Sequence, residues 1–370
     1  MDGLVDSYFG PVELKEQVDA EPLVEPAALV EQADALLAGL DDGWLRDQAQ
    51  GLRTYAGVVA GEEISYSDEV EACYGVRPER ASADVYGAVH EQLDELLPGS
   101  GPLGDRYTTW RRSRSVPGDR VVPAVRAVLD VLRARVAALV DLPAGEGLVI
   151  EEVRDEPWWA FNYYLGGLRS RVVVNLDTPT TFDDVVELAA HEVYPGHHTE
   201  HSLKEQLFVV GRGEIEESIQ LVPTPAALVS EGIAETGPAI VVDAEVNARL
   251  EAILREYGFD GDLADGRAIR EARRPLHRVG LDAALMIHEG GATAAEARSH
   301  LERWSLIAPE EAEHRLRFLT SPTWRAYVIT YSAGHELCSA WVAGDPARFA
   351  RLLTEHIRVG ELSTPVSSVR

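Results

Sequence analysis

The sequence predicts a mainly α-helical protein with one short β-region, on three observations. Apolar residues recur at helical spacing along most of the 370 residues. Ala, Val, Leu, Glu and Arg are plentiful while aromatics are 7% of the chain, a balance that favours helix over sheet. Runs of β-formers gather in one stretch, between residues 147 and 175.

The elements follow in order. Leu23–Leu40, Trp44–Ala60 and Ala81–Leu97 place apolar residues on one face and acidic residues on the other. Pro98-Gly99-Ser100-Gly101-Pro102 breaks the pattern, and Arg120–Val140 resumes it. The chain therefore divides into an N-terminal helical region, 1–115, and a region 116–370 that holds the chemistry, the two forming one continuous fold. Gly147–Val153, Trp158–Tyr164 and Ser170–Asn175 are short runs separated by Gly or Pro, and predict a small antiparallel sheet. Thr178-Pro179-Thr180-Thr181, followed by Asp183 and Asp184, supplies hydroxyl caps and first-turn acids for a helix that runs into His191. Thr224–Val242, Ala244–Tyr257, Asp265–His288, Thr293–Trp304, Pro309–Leu319, Thr323–Ala343 and Pro346–Val359 complete the helical series. The polar tail Glu361–Arg370 is expected to be loosely held.

Composition narrows the function classes. The net charge of −28 repels phosphate backbones and anionic lipid, so neither nucleic acid nor membrane is an expected partner. Cys73 and Cys338 are the only cysteines, too few for a disulfide framework or a cysteine metal cluster. Met1 to Val24 carries acids and no apolar core of a secretory signal, and no apolar run reaches the roughly 20 residues of a membrane span. A cytoplasmic location is the resulting expectation.

The chemistry concentrates in His191-Glu192-Val193-Tyr194-Pro195-Gly196-His197-His198. A His-Glu pair on a helix is the opening of a zincin-like site, in which histidines bind zinc and the glutamate activates water. The second histidine usually follows four residues later, but Pro195 stands there. On an unbroken helix, at roughly 100° per residue, His197 would point away from His191, and His198 would lie about 10 Å further along the axis. Pro195 removes an amide donor and clashes with the carbonyl of His191, while Gly196 tolerates unusual backbone angles. A distortion there can return His197 to the metal, so His197 is the expected ligand and His198 the alternative. Ser230-Glu231-Gly232-Ile233-Ala234-Glu235 supplies the third ligand: Glu231 and Glu235 share a helix face, Glu231 binding metal and Glu235 supporting a ligand histidine from behind.

These residues resemble the signature of a large bacterial family of uncharacterised, predicted zinc peptidases, with a motif of the form HExxPGHH. That family carries a domain of unknown function and is related to the thimet-oligopeptidase and thermostable-carboxypeptidase groups of gluzincin-like enzymes. Glu231-Gly232 is similar to its second motif. Leu281–His288 with Thr293 and Glu296-Ala297 is similar to a helix and turn found there, and Tyr331-Ser332-Ala333-Gly334 to its late Tyr-x-x-Gly. The likeness spans roughly Tyr163 to Val359. It implies a helical fold with one zinc ion at the bottom of a deep groove and a short sheet along one wall.

Other roles can then be assigned as expectations. Glu192 is the general base, and Tyr331 the donor that holds the developing oxyanion. Tyr327 and His335, four residues to either side of Tyr331, are expected to face the same way and contact substrate. His288 and Asn175 are further substrate contacts, Asp282 an orienter of a nearby cation, and Arg278 and Arg325 carboxylate clamps. The expected activity is zinc-dependent hydrolysis of short peptides, by a peptidase or carboxypeptidase. Hydrolysis of a non-peptide amide, or a metal-binding scaffold that has lost catalysis, are the alternatives, and another divalent metal could replace zinc. A di-metal oxidase is set aside, because Glu311-Ala312-Glu313-His314 has no matched partner.

Overall fold

In the computed structural model, which describes residues 4–156 and 158–364, helices build most of the molecule, with five short strands and the connecting loops between them. Residues 365–370 of the polar tail lie outside the described residues. The N-terminal helices form at Pro26–Gly39, Trp44–Val59 and Ala83–Leu96, close to their predicted spans. Three shorter helices, Val12–Ala20, Tyr66–Tyr74 and Leu103–Ser113, carry too few turns to show a clear period in the sequence.

Strands β1 (Val5–Tyr8), β2 (Gly147–Val153), β3 (Ala160–Gly166), β4 (Arg169–Asn175) and β5 (Ile219–Leu221) make two sheets. The three expected strands all form, but their sheet is mixed rather than antiparallel. β3 and β4 make an antiparallel hairpin, and β2 lies parallel to β4 on its other side, giving the order β2-β4-β3. β4 is thus central, and Val172, Val173 and Val174 are buried there. β1 pairs antiparallel with β5, more than 200 residues away, an element with no local sequence signal.

Two apolar cores flank the groove. One joins Val121, Val125, Val128 and Leu132 of the helix Gly118–Ala137 to Val172 and Val174 of β4 and to Val185, Leu188 and Ala189 ahead of the histidine motif. The other joins Tyr74, Tyr86 and Leu93 of the N-terminal region to Leu228 and Ile233, and to Ala284, Leu301 and Leu352 further on. Burial of each large aliphatic side chain there stabilises by about 1.5–3 kcal/mol. This second core mixes residues from both sides of position 115, so the N-terminal helices are part of the same packed unit.

Two predicted long helices are interrupted. Asp265–His288 becomes helices Leu263–Arg273 and Arg278–His288 joined by a tight 3-10 turn at Arg274–His277, where Pro275 lacks the amide that would continue the ladder. Thr323–Ala343 becomes a 3-10 turn at Tyr327–Ile329, a π turn at Thr330–Gly334 and a helix at His335–Val342.

Candidate metal centre

The helix leading to the histidines starts as expected. Thr181 and Asp184 form a reciprocal capping box at Phe182–Leu188. Arg111 and Arg270 pair with Asp184, and Arg114 with Asp183, fixing where this helix begins. At Ala189–Val193 the α-helix widens into a π turn, with the amide of Tyr194 on the carbonyl of Ala189 and that of Gly196 on Ala190. The Tyr194–Pro195 peptide is cis. A Cβ on Gly196 would sit 1.7 Å from the carbonyl oxygen of His191, so only glycine lets the chain fold back so tightly. A new helix, His197–Lys204, then begins.

This break brings the two histidines together. The His191 and His197 rings lie 4.8 Å apart and almost perpendicular. Nε2 of His191 is 3.7 Å from Glu231 Oε2, and Nε2 of His197 is 3.8 Å from Glu231 Oε1. Ligand atoms of His191, His197 and Glu231 all fall within 4.8 Å of one another. The spacings exceed hydrogen-bond length. Zinc with arms of about 2.0–2.1 Å would separate tetrahedral ligands by about 3.3 Å, so the three residues fit such an ion after a small contraction. Glu231 Oε2 is one of seven buried side-chain atoms without a hydrogen-bond partner among the described residues, and the only one of them in the His191–His197–Glu231 group.

A surrounding shell sets the orientation of each candidate ligand. His197 Nδ1 lies 3.1 Å from Ser230 Oγ, which itself donates to Glu200 Oε2 at 2.6 Å. Because Ser230 spends its proton on Glu200, it accepts one from His197 Nδ1, and Nε2 keeps its lone pair toward Glu231. Glu200 is in turn held by Lys204 at 2.7 Å. Nδ1 of His191 lies 3.6 Å from Glu235 Oε1, and Arg274 holds the other oxygen of Glu235 at 2.8 Å. Burial acts against the Glu235 carboxylate, but His191, His277 and Arg274 hold its pKa down to about 2. Burial also opposes the charged form of His191, and the acids around it outweigh this and raise its pKa. Glu192 is raised, chiefly by burial.

The glutamate helix, Pro225–Val241, reaches the groove because Gly232 packs flat against the tyrosine segment. A Cβ there would meet the Gly334 carbonyl oxygen at 2.4 Å. That close approach places Tyr327 so that its hydroxyl donates to Glu231 Oε1 at 2.7 Å, with the Tyr331 ring 5.5 Å further on. Glu192, Tyr327, Tyr331 and the three candidate ligands all line one groove of about 1040 Å³. β3 supplies Ala160, Phe161 and Asn162 to its wall, and the Asn162 amide fixes the motif by donating to the Glu192 carbonyl at 2.6 Å.

Several expected site residues lie elsewhere. His198 is fully buried on the far side of its helix, with Nδ1 on Ser170 at 2.8 Å and Nε2 on Glu146 at 2.9 Å, so it is not the alternative ligand. His335 is off the groove beside Thr236, because the π turn at Thr330–Gly334 puts an extra residue in the turn and breaks its phase with Tyr331. His288 caps the carbonyl of Leu319 and stacks on Tyr66. Asn175 donates its amide to the carbonyls of Glu156 and Trp158, closing the loop before β3. Arg278 pairs with Glu336, and Arg325 with the buried Glu69; neither lines the groove, where Arg315 and Arg317 stand instead. Asp282 takes the Tyr86 hydroxyl and the Ala81 amide.

Sequence reasoning missed Ser230, Glu200 and Asp6. Ser230 and Glu200 adjoin motif residues and were open to the same spacing argument. Asp6 comes from β1 and had no such signal.

No family model matches the chain, and no curated protein does. Among solved structures it is similar to one described as "the putative lipoprotein from Colwellia psychrerythraea", with a TM-score of 0.53 and 15% identity. The match covers 95% of this chain and 64% of that one, so this chain spans under two thirds of that protein's length. At this identity the likeness concerns the fold.

Proposed function

We propose that this protein is a zinc-dependent hydrolase of short peptides, of the gluzincin-like type that its histidine motif resembles. The observation that carries the reading is the meeting of His191, His197 and Glu231 around an unpartnered buried carboxylate oxygen, with Glu192 beside them on an open groove. His191, His197 and Glu231 would hold the ion. Zinc, when bound, polarises a carbonyl and acidifies water. Glu192 has no hydrogen-bond partner for its carboxylate among the described residues. Its raised pKa suits it to take a proton from the attacking water and pass it to the leaving amine. Tyr331, exposed on the groove wall, is the hydroxyl free to donate to a developing oxyanion, since Tyr327 already donates to Glu231. Glu235 and the Ser230–Glu200–Lys204 chain keep the ligand rings in one tautomer.

Elemental analysis beside a peptide-library assay tests this. Wild type is expected to carry about one zinc per chain and to cleave peptides. Glu192→Gln should keep the metal and lose about 10²–10⁴-fold in turnover, whereas His191→Ala should lose both. Full turnover in Glu192→Gln would sink the assignment.

A further inference from the structure

Six acids line the groove: Asp6, Glu192, Glu200, Glu216, Glu217 and Glu231. Most are already engaged. Glu200 is bound by Lys204 and Ser230, Glu217 by His356 at 2.8 Å, and Glu231 by Tyr327. Glu192 serves as the base in the reading above. That leaves Asp6 and Glu216, neither with a side-chain hydrogen bond or ion pair to any described residue. Of the two, Asp6 comes from β1, which packs against β3, the strand whose Asn162 holds the Glu192 carbonyl.

Asp6 is held there by construction. It is the extra residue of a β-bulge: Val5 pairs with Leu221 and Ser7 with Gln220, so Asp6 has no partner in β5 and is turned out of the ladder. The strand is pinned on both sides of it. The Val222 amide binds the Leu4 carbonyl at 3.0 Å, and the Phe9 amide binds the Ser218 carbonyl at 2.9 Å. Ser7 donates to Gln220 at 2.8 Å, and Gln220 reaches His201, whose ring stacks on His197. The bulge and the metal ligand therefore belong to one connected frame. The Asp6 side chain is itself exposed, open to the groove it lines.

A lone carboxylate in this position suits an organic cation better than a second metal ion. Neither of the two groups of metal-binding geometry among the described residues includes Asp6. An α-ammonium, by contrast, has three N–H donors and sits two bonds from the carbonyl carbon of its own residue. An acid that receives it must share the groove with the catalytic base, as Asp6 does. We propose that Asp6 anchors the free α-ammonium of the residue whose carbonyl is attacked, making the substrates short peptides with an unblocked N-terminus. This deepens, and rests on, the hydrolase reading. The aromatic walls at Trp159 and Phe161 would then face the side chain of that first residue.

The test is calorimetric binding to the zinc-loaded protein of leucine hydroxamate and of isocaproyl hydroxamate, which lacks only the amine. A charge-assisted contact predicts that the amine-bearing compound binds about 10- to 100-fold more tightly. In Asp6→Asn, checked by its melting curve, that ratio should fall to near one, and in Glu216→Gln it should stay as in wild type. Equal binding of the two compounds to wild type would overturn the proposal before any variant is made. A ratio preserved in Asp6→Asn, or lost in Glu216→Gln, would overturn it as well, as would loss of zinc in Asp6→Asn, which would make Asp6 a ligand. If neither hydroxamate binds the zinc-loaded protein, it is the hydrolase reading beneath that fails.

Discussion

His197 and His198 are neighbours in sequence with the same side chain, and they face opposite kinds of surroundings. On the core side, His198, Ser170, Glu146, Tyr194 and Arg133 form a closed knot, with every contact between 2.7 and 2.9 Å. On the groove side, the nearest approaches of His191 and His197 to Glu231 are 3.7 and 3.8 Å, and one buried oxygen of Glu231 has no partner. A finished polar network spends its donors and acceptors on itself. An unfinished one leaves acceptor atoms open, and at Glu231 the open oxygen faces two histidine rings that could share a cation with it. The difference separates a histidine that supports the fold from one available for chemistry.

The largest effect should come from breaking the finished side. His198→Ala leaves Glu146 buried with a partner gone, and is expected to cost about 3–5 kcal/mol of stability by chemical denaturation. His197→Ala should cost less in metal-free protein, because it gives up a hydrogen bond to the neutral Ser230 and ring packing on His191 and His201, not a bond to a buried carboxylate. The reverse ranking would break the contrast.

Acid should reveal the same knot. Burial acts against the Glu146 carboxylate, but His198, Tyr194 and Arg133 hold its pKa down to about 2 from an ordinary 4.5. A carboxyl depressed in the folded state contributes stability that is present above its unfolded pKa and lost as pH falls through the folded one. Melting temperature should therefore drop between about pH 4.5 and pH 2, and Glu146→Gln, already weakened at neutral pH, should drop less steeply. A parallel decline in both proteins would remove Glu146 from the account.

Zinc should do the converse on the groove side. At about 100 times its dissociation constant, an ion that binds only the folded state adds about 2.7 kcal/mol. Wild type and a refolded His198→Ala should both show that increment, and His197→Ala should not. A full increment in His197→Ala would return suspicion to the ligand set itself.

What could be read beforehand follows the range of the interactions. The motif, the Pro195-Gly196 break and the Glu231/Glu235 pair are local, so their spacing already implied that a distortion would return His197 toward His191 and that two acids would share a face. The sequence gives a residue's type but not its partner. Arg278, Arg325, His288 and Asn175 each found one outside the groove. Phase was lost at His335, where the π turn cancels the four-residue rule. The sheet order and Asp6 depend on pairings across many residues, β2 with β4 and β1 with β5, which no local pattern encodes.

The finest distinction concerns Ser230, which lies between the two networks in character: fully bonded, yet attached to a residue that is not. It takes a proton from His197 Nδ1 and gives one to Glu200, so its hydroxyl decides which nitrogen of His197 keeps a lone pair. Ser230→Ala removes that decision without touching a ligand, and the helix Pro225–Val241 tolerates alanine well. Zinc affinity, by competition with a chelator, is expected to weaken about 10- to 100-fold, the usual cost of losing a partner behind a ligand histidine, and the metal-free protein should lose about 1–3 kcal/mol through the Glu200 oxygen left unpaired. Ser230→Thr, which keeps the hydroxyl, should recover most of the affinity. If alanine and threonine weaken zinc equally, Ser230 acts by packing, and the tautomer of His197 must be set by Glu231 alone.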